Sequence, residues 1–224
     1  MALQYDNFGF RRVAVEANLW PPVEEIPAST LSQLFGEVNA DDTFATCELR
    51  PSGATFDGEV WDYTISGSTV RLRWWGVRLP DDLYDRIRRF LDGTRVVAMD
   101  SRVGFYTEEI RIIADVPEGK NRNVSEVVKK RLLKGMKAED RDSLAGLAGA
   151  GLSLRGGTEQ FGYRATIEPK LDGSMLNISA GLKFAPEPEP PRPGPDLDLV
   201  ERHTKMACTF VAEDLVDFSG KLFP

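Results

Sequence analysis

The chain has 224 residues, 42% of them hydrophobic and 28% charged, and a formal net charge of −7. That balance makes one large domain or two small coupled ones with a core that needs no staple, and it excludes collagen, coiled coil and wholesale disorder. No apolar run reaches about 18 residues, which excludes a membrane-spanning helix, and the acidity disfavours general affinity for DNA or RNA.

The first residues carry no basic-then-apolar signal pattern, and Cys47 and Cys208 lie too far apart in sequence to suggest a CxxC pair. Both point to a reducing, cytoplasmic setting without a disulfide framework.

From Arg12 to Leu19, Val13, Val15, Ala17 and Leu19 alternate with the residues between them, the period of a half-buried strand. Trp20-Pro21-Pro22 ends it. Thr30 and Gln33 have capping-box spacing, and Leu31, Leu34, Phe35 and Val38 form one helical stripe. Thr43 to Arg50 alternates again, with Ala45, Cys47 and Leu49 on one side. Ala54 to Ile65 reads as one strand carrying Trp61, Tyr63 and Ile65, with Phe56 out of phase and a bulge at Gly58. Ser66-Gly67 is a hairpin signal. Val70, Leu72 and Trp74 then alternate with Arg71, Arg73 and Trp75. Pro80-Asp81 opens a helix with the stripe Leu83, Ile87, Phe90 and Leu91, and Gly93 suits a left-handed stop.

The pattern then starts again. Ile110, Ile112, Ala114 and Val116 alternate up to Pro117. Asn123 and Glu126 form another capping pair before the helical stripe Val124, Val127, Val128 and Leu132. Ala150 to Leu154 is a brief strand, Phe161 to Ile167 a longer one, and Asp172-Gly173 a hairpin turn before Leu176 to Phe184. Pro186 to Pro195 has six prolines in ten residues and predicts an extended spacer. A last helix opens at Asp198 with Glu201 as its capping partner. Its stripe is Val200, Thr204, Ala207, Val211, Leu215, Phe218 and Leu222, with Gly220 as a stop.

The fold class is therefore α+β. Two pseudo-duplicated units of strand, helix, three strands and helix form one or two antiparallel sheets backed by helices. Residues 1–100 make the first half and 101–185 the second. Residues 186–195 are the linker, and 196–224 a helix packing on the second half.

Catalytic patterns are missing. The one histidine, His203, sits early in the last helix without a nucleophile elbow, and one histidine with two distant cysteines does not make a zinc site. Asp81, Asp82 and Asp85, and Glu139, Asp140 and Asp142, cluster where helices start, as the dipole favours. The glycines from Gly146 to Gly151, then Gly156 and Gly157, come without a Walker lysine and read as a connection. No enzyme activity, metal or cofactor is expected.

The segment from Arg71 to Arg95 holds seven arginines against four aspartates. Within it, Arg71, Arg73 and Trp75 share the strand face opposite Leu72 and Trp74, with Arg78 just beyond. Arg and Trp dominate binding hot spots, so these four residues are the candidate site for a protein partner. The alternatives are single-stranded nucleic acid clamped on the same face, and a small apolar ligand between sheet and helix. Oligomeric state stays open.

In element order the tandem resembles the duplicated saddle of TATA-binding-like folds. The stretch Arg102-Val103-Gly104-Phe105-Tyr106-Thr107-Glu108-Glu109-Ile110, with the closing helix from Phe210 to Phe223, resembles a sporadically distributed family of uncharacterised bacterial proteins. That resemblance implies a bacterial accessory or adaptor protein linked to defence or toxin neutralisation, and it supplies no catalytic residues.

Overall fold

A computed structural model describes residues 9–76, 78–97, 104–117, 128, 130–135, 137, 150–170, 175–185 and 194–222. In the first half these are β1 (Gly9–Trp20), α1 (Ala28–Val38), β2 (Phe44–Arg50), β3 (Gly53–Gly58), β4 (Trp61–Ser66), β5 (Thr69–Trp75) and α2 (Leu83–Gly93). The second half brings β6 (Gly104–Pro117), β7 (Leu152–Gly157), β8 (Phe161–Pro169), β9 (Met175–Phe184), a short β10 (Gly194–Pro195) and α3 (Leu197–Thr209). A π-helical stretch, Phe210–Leu215, leads from α3 into α4 (Val216–Leu222). Val128 and residues 130–132 are helical, with Val128 in the core.

The protein is α+β, and its strands form one sheet in the order β2-β3-β4-β5-β1-β6-β9-β8-β7, with β10 parallel to β6. β1 and β6 pair antiparallel at the centre from Gly9↔Asp115 to Trp20↔Gly104. On either side of that pair the last long strand of each half returns beside its first: β5 beside β1, and β9 beside β6. The duplication is thus visible in the pairing.

The first half has four strands after its helix, not three. Gly58 is not a bulge: the chain reverses between β3 and β4, which pair antiparallel from Gly53↔Ser66 to Asp57↔Asp62. The reversal puts Phe56 beside Tyr63, their rings stacked at 5.3 Å, so Phe56 is in phase with the core after all. A register shift between Phe44 and Thr46 turns β2, and only Phe44 on it is buried.

Helix boundaries also differ from the sequence expectation. The first helix starts at Ala28 after Pro27, with no side-chain cap, so the Thr30–Gln33 box is not used. Gly93 is right-handed (φ −54°), and the chain runs on into a 3₁₀ turn, Thr94–Val96. Its glycine identity answers to packing, because a Cβ there would stand 2.6 Å from Val38 Cγ1 of α1. The last helix is capped by Asp196, whose carboxylate accepts from the Leu199 N–H at 2.9 Å. The π stretch inserts extra residues per turn and rotates α4 relative to an unbroken helical stripe. Phe218 therefore faces out at 39% exposed, while Val216, Ser219 and Gly220 face in. The Asn123–Glu126 cap, the Asp172-Gly173 turn, the acidic cluster from Glu139 to Asp142 and most of the proline linker lie outside the described residues.

One face of the sheet forms the core. Val13, Val15, Ala17, Leu72, Trp74, Tyr63, Ile167, Ile178 and Leu182 point to it, and α1, α2 and α3 cover it with Leu31, Leu34, Ile87, Phe90, Val200 and Ala207. α3 reaches both halves. Its Asp198 and Glu201 bind Arg88 of α2 at 2.6 and 3.2 Å, and its Lys205 lies over the Tyr84 ring.

Candidate functional site

The alternation that buries Leu72 and Trp74 puts Arg71, Arg73 and Trp75 on the opposite face of the sheet, as the sequence implies. The first two are neutralised there. Arg71 Nη2 lies 2.6 Å from Glu16 Oε2, its direct cross-strand neighbour on β1. Arg73 grips Asp62 of β4 with two bonds, Nη2 to Oδ2 at 2.5 Å and Nε to Oδ1 at 2.7 Å. Asp62 is only 3% exposed. Burial pushes its carboxyl above the usual range, with Arg73 pulling the other way.

Trp75, 36% exposed, ends β5 opposite Arg12 of β1. Its N–H donates to the Val60 carbonyl at 3.0 Å, and Val60 is itself 41% exposed. Arg78, also exposed, comes shortly after it in the chain.

A second group of cations lies across the sheet. A trough of about 610 Å³ opens on the same face in the second half. Arg12, Arg155, Arg164 and Lys183 line it with no Asp or Glu among the described lining residues, and Gly162, Thr166, Ser179 and Gly181 give it a low floor. Arg155 of β7 and Arg164 of β8 are direct cross-strand neighbours. Like charges placed so are mutually destabilising, and no carboxylate among the described residues pairs with either. The register joins both halves: Arg155, Arg164, Gly181, Arg111, Ala14, Arg73 and Asp62 succeed one another across seven strands.

The sequence reading missed Arg155, Arg164 and Lys183. A signal was there, since Gly162, Arg164 and Thr166 alternate with Tyr163, Ala165 and Ile167, and Ser179, Gly181 and Lys183 do the same on the next strand. Pairing across three strands is what gathers them.

The nucleophile and base candidates lie elsewhere. His203 stacks on Phe184 with ring centroids 3.8 Å apart and 7° between planes. Burial foremost, then Arg202, lowers its pKa to about 4, against a smaller opposing pull from Asp196. Cys208 is buried beside Tyr84, and burial pushes its thiol up to about 11. Cys47 is exposed on the edge strand β2, its thiol also raised by partial burial. Among the described residues no three His, Cys, Asp or Glu side chains come together as a metal site, and no helix is long and apolar enough to cross a membrane. Rings such as Phe56, Tyr63 and Phe90 are buried between sheet and helices.

The His203 stack has a measurable consequence. The unfolded chain takes up the proton near the ordinary value of 6.5 and the folded chain only near 4. The stability of the neutral stacked ring is therefore complete above pH 6.5 and is lost as pH falls through 4. Allowing for the ring's partial contact with water, this amounts to about 2 kcal/mol. His203→Phe is expected to lose that much less stability than the parent between neutral pH and pH 4 in urea titrations. Equal acid losses would show that the ring titrates normally.

Compared with known proteins, the chain matches no family model and no curated protein.

Proposed function

We propose that this protein is a non-enzymatic binding module that takes an acidic segment of a partner protein into the trough on its open sheet face. The observation that carries this reading is the Arg155–Arg164 cross-strand pair, two cations side by side with no carboxylate among the described residues to relieve them. A bound carboxylate removes that repulsion and gains charge-assisted hydrogen bonds, so the site favours an anion twice over. The stacked His203 and the raised thiols of Cys47 and Cys208 offer no activated nucleophile or base, which supports binding over catalysis. Such an adaptor fits the accessory, defence-linked role that the family resemblance implies.

Single-stranded nucleic acid is the second reading, because Trp75 and the same cations would suit it. The net charge of −7 repels both kinds of polyanion, but a nucleic acid carries a charge on every unit and is slowed more than a short acidic segment.

The test is fluorescence anisotropy with a labelled Asp/Glu-rich peptide over a salt series. Arg155→Ala combined with Arg164→Ala is expected to weaken binding at least about tenfold and to flatten the salt dependence. Unchanged binding by the double variant overturns the reading. Preference for a single-stranded oligonucleotide, with a steeper salt slope, replaces it with the second.

A further inference from the structure

We infer that the partner segment is an extended acidic peptide with one bulky apolar residue, seated on Trp75 and Val60 about four residues from its first trough-bound acid. This rests on the acidic-segment reading of the trough and adds the anchor and the spacing.

Two exposed apolar residues are joined by a backbone hydrogen bond at the end of the β4–β5 pair. The β4–β5 register pairs Trp61 with Trp74. Val60 continues it one step further, opposite Trp75, with the Trp75 N–H to Val60 carbonyl bond as the closing rung. Trp75 and Val60 are 36% and 41% exposed and stand next to charged Arg12 on this face. A tryptophan flanked by arginine is the composition of an interface anchor. The flanking cation is Arg12, directly across the ladder. Arg12 also lines the trough, so this apolar pair and the trough are continuous.

Geometry then fixes the spacing. Trp75, Arg12, Ile113 and Ser179 are successive register partners on β5, β1, β6 and β9. Strands stand about 4.8 Å apart, so the tryptophan and the trough floor at Ser179 are about 14 Å apart, the length of about four extended residues. A segment lying across the strands can put an apolar side chain on Trp75 and Val60 and its acids among Arg12, Arg164 and Arg155. A polyanion of uniform chemistry would use the trough and leave the apolar pair wet. The peptide with both features satisfies both halves of the site.

The experiment compares labelled peptides that share an Asp/Glu run and carry either leucine or serine about four residues away, on the N-terminal or the C-terminal side. One leucine peptide is expected to bind the full chain about tenfold more tightly than its serine counterpart. Shortening its spacer by two residues should abolish the gain. Trp75→Ala should lower affinity for that peptide about thirtyfold, and Val60→Asp should also erase the leucine advantage, with both variants melting like the parent. If leucine and serine peptides bind equally while salt-dependent binding persists, or if Trp75→Ala keeps the leucine advantage, the anchor is overturned and the trough reading stands. If no acidic peptide binds, both fall. If only a single-stranded oligonucleotide binds and Trp75→Ala abolishes it, Trp75 is a stacking platform for bases and both are overturned.

Discussion

A chain ending at Phe184 is expected to aggregate instead of folding to a smaller domain. α3, the π stretch and α4 bury Val200, Thr204, Ala207, Val211, Leu215 and Val216. The contacts are with rings of the second-half sheet: Phe210 stands 4.8 Å from Tyr163 and 5.5 Å from Phe161 by ring centroids, and His203 stacks on Phe184. Losing a large buried side chain costs about 2–5 kcal/mol, and several are lost at once, against a total stability of about 5–15 kcal/mol for an ordinary domain. The cut also removes β10, which extends the sheet along Gly104 and Phe105 of β6. The exposed Arg88 ion pairs with Asp198 and Glu201 contribute little to this balance. Size-exclusion chromatography and a thermal melt decide the matter. A truncated chain that runs as a monomer and melts cooperatively would make the helix an appendage.

The second large effect belongs to one atom. Gly67→Ala is expected to lower stability by about 3 kcal/mol, at the upper end for overpacking. A Cβ on Gly67 would stand 2.0 Å from the Val23 carbonyl oxygen. The partner is backbone, so no rotamer change relieves the clash. Moving Val23 away also breaks its N–H bond to the Gly67 carbonyl at 2.6 Å, and strains the neighbouring Leu19 N–H bond to Ser68 at 2.8 Å. These bonds tie the β1–α1 connection to the β4–β5 turn. The denaturant midpoint of Gly67→Ala against the parent measures the effect. An unchanged midpoint would show that the connection shifts freely.

Legibility in the sequence depends on which interactions are local. Alternation at Leu72 and Trp74 fixes a strand face by itself, so the outward position of Trp75 is readable. The β3–β4 reversal carries the turn pair Asp57-Gly58, but a lone glycine in an alternating run reads equally as a bulge within one long strand. The face of Phe218 is misjudged from periodicity because a π stretch leaves no mark on a 3.6-residue period. The charge reading fails for a physical reason. Arg71 finds Glu16 at a separation of 55 residues and Arg73 finds Asp62 across a hairpin, so a basic segment in one dimension becomes a neutral patch in three. Arg155 adjoins the glycines that read as connection and Arg164 sits in the next strand, so only the ladder makes them neighbours.

The central β1–β6 ladder also shapes how the chain comes off the ribosome. β1 can pair with β5 as soon as Trp75 has emerged, but its other edge waits for Gly104–Pro117, and β6 in turn waits for Met175–Phe184. Synthesis adds about 5–20 residues per second, so each central strand shows an open edge of unpaired N–H and C=O groups for seconds before its partner arrives. Such an edge templates pairing with any other nascent strand nearby. Slower elongation lengthens this exposure, and any factor that shields strand edges shortens it.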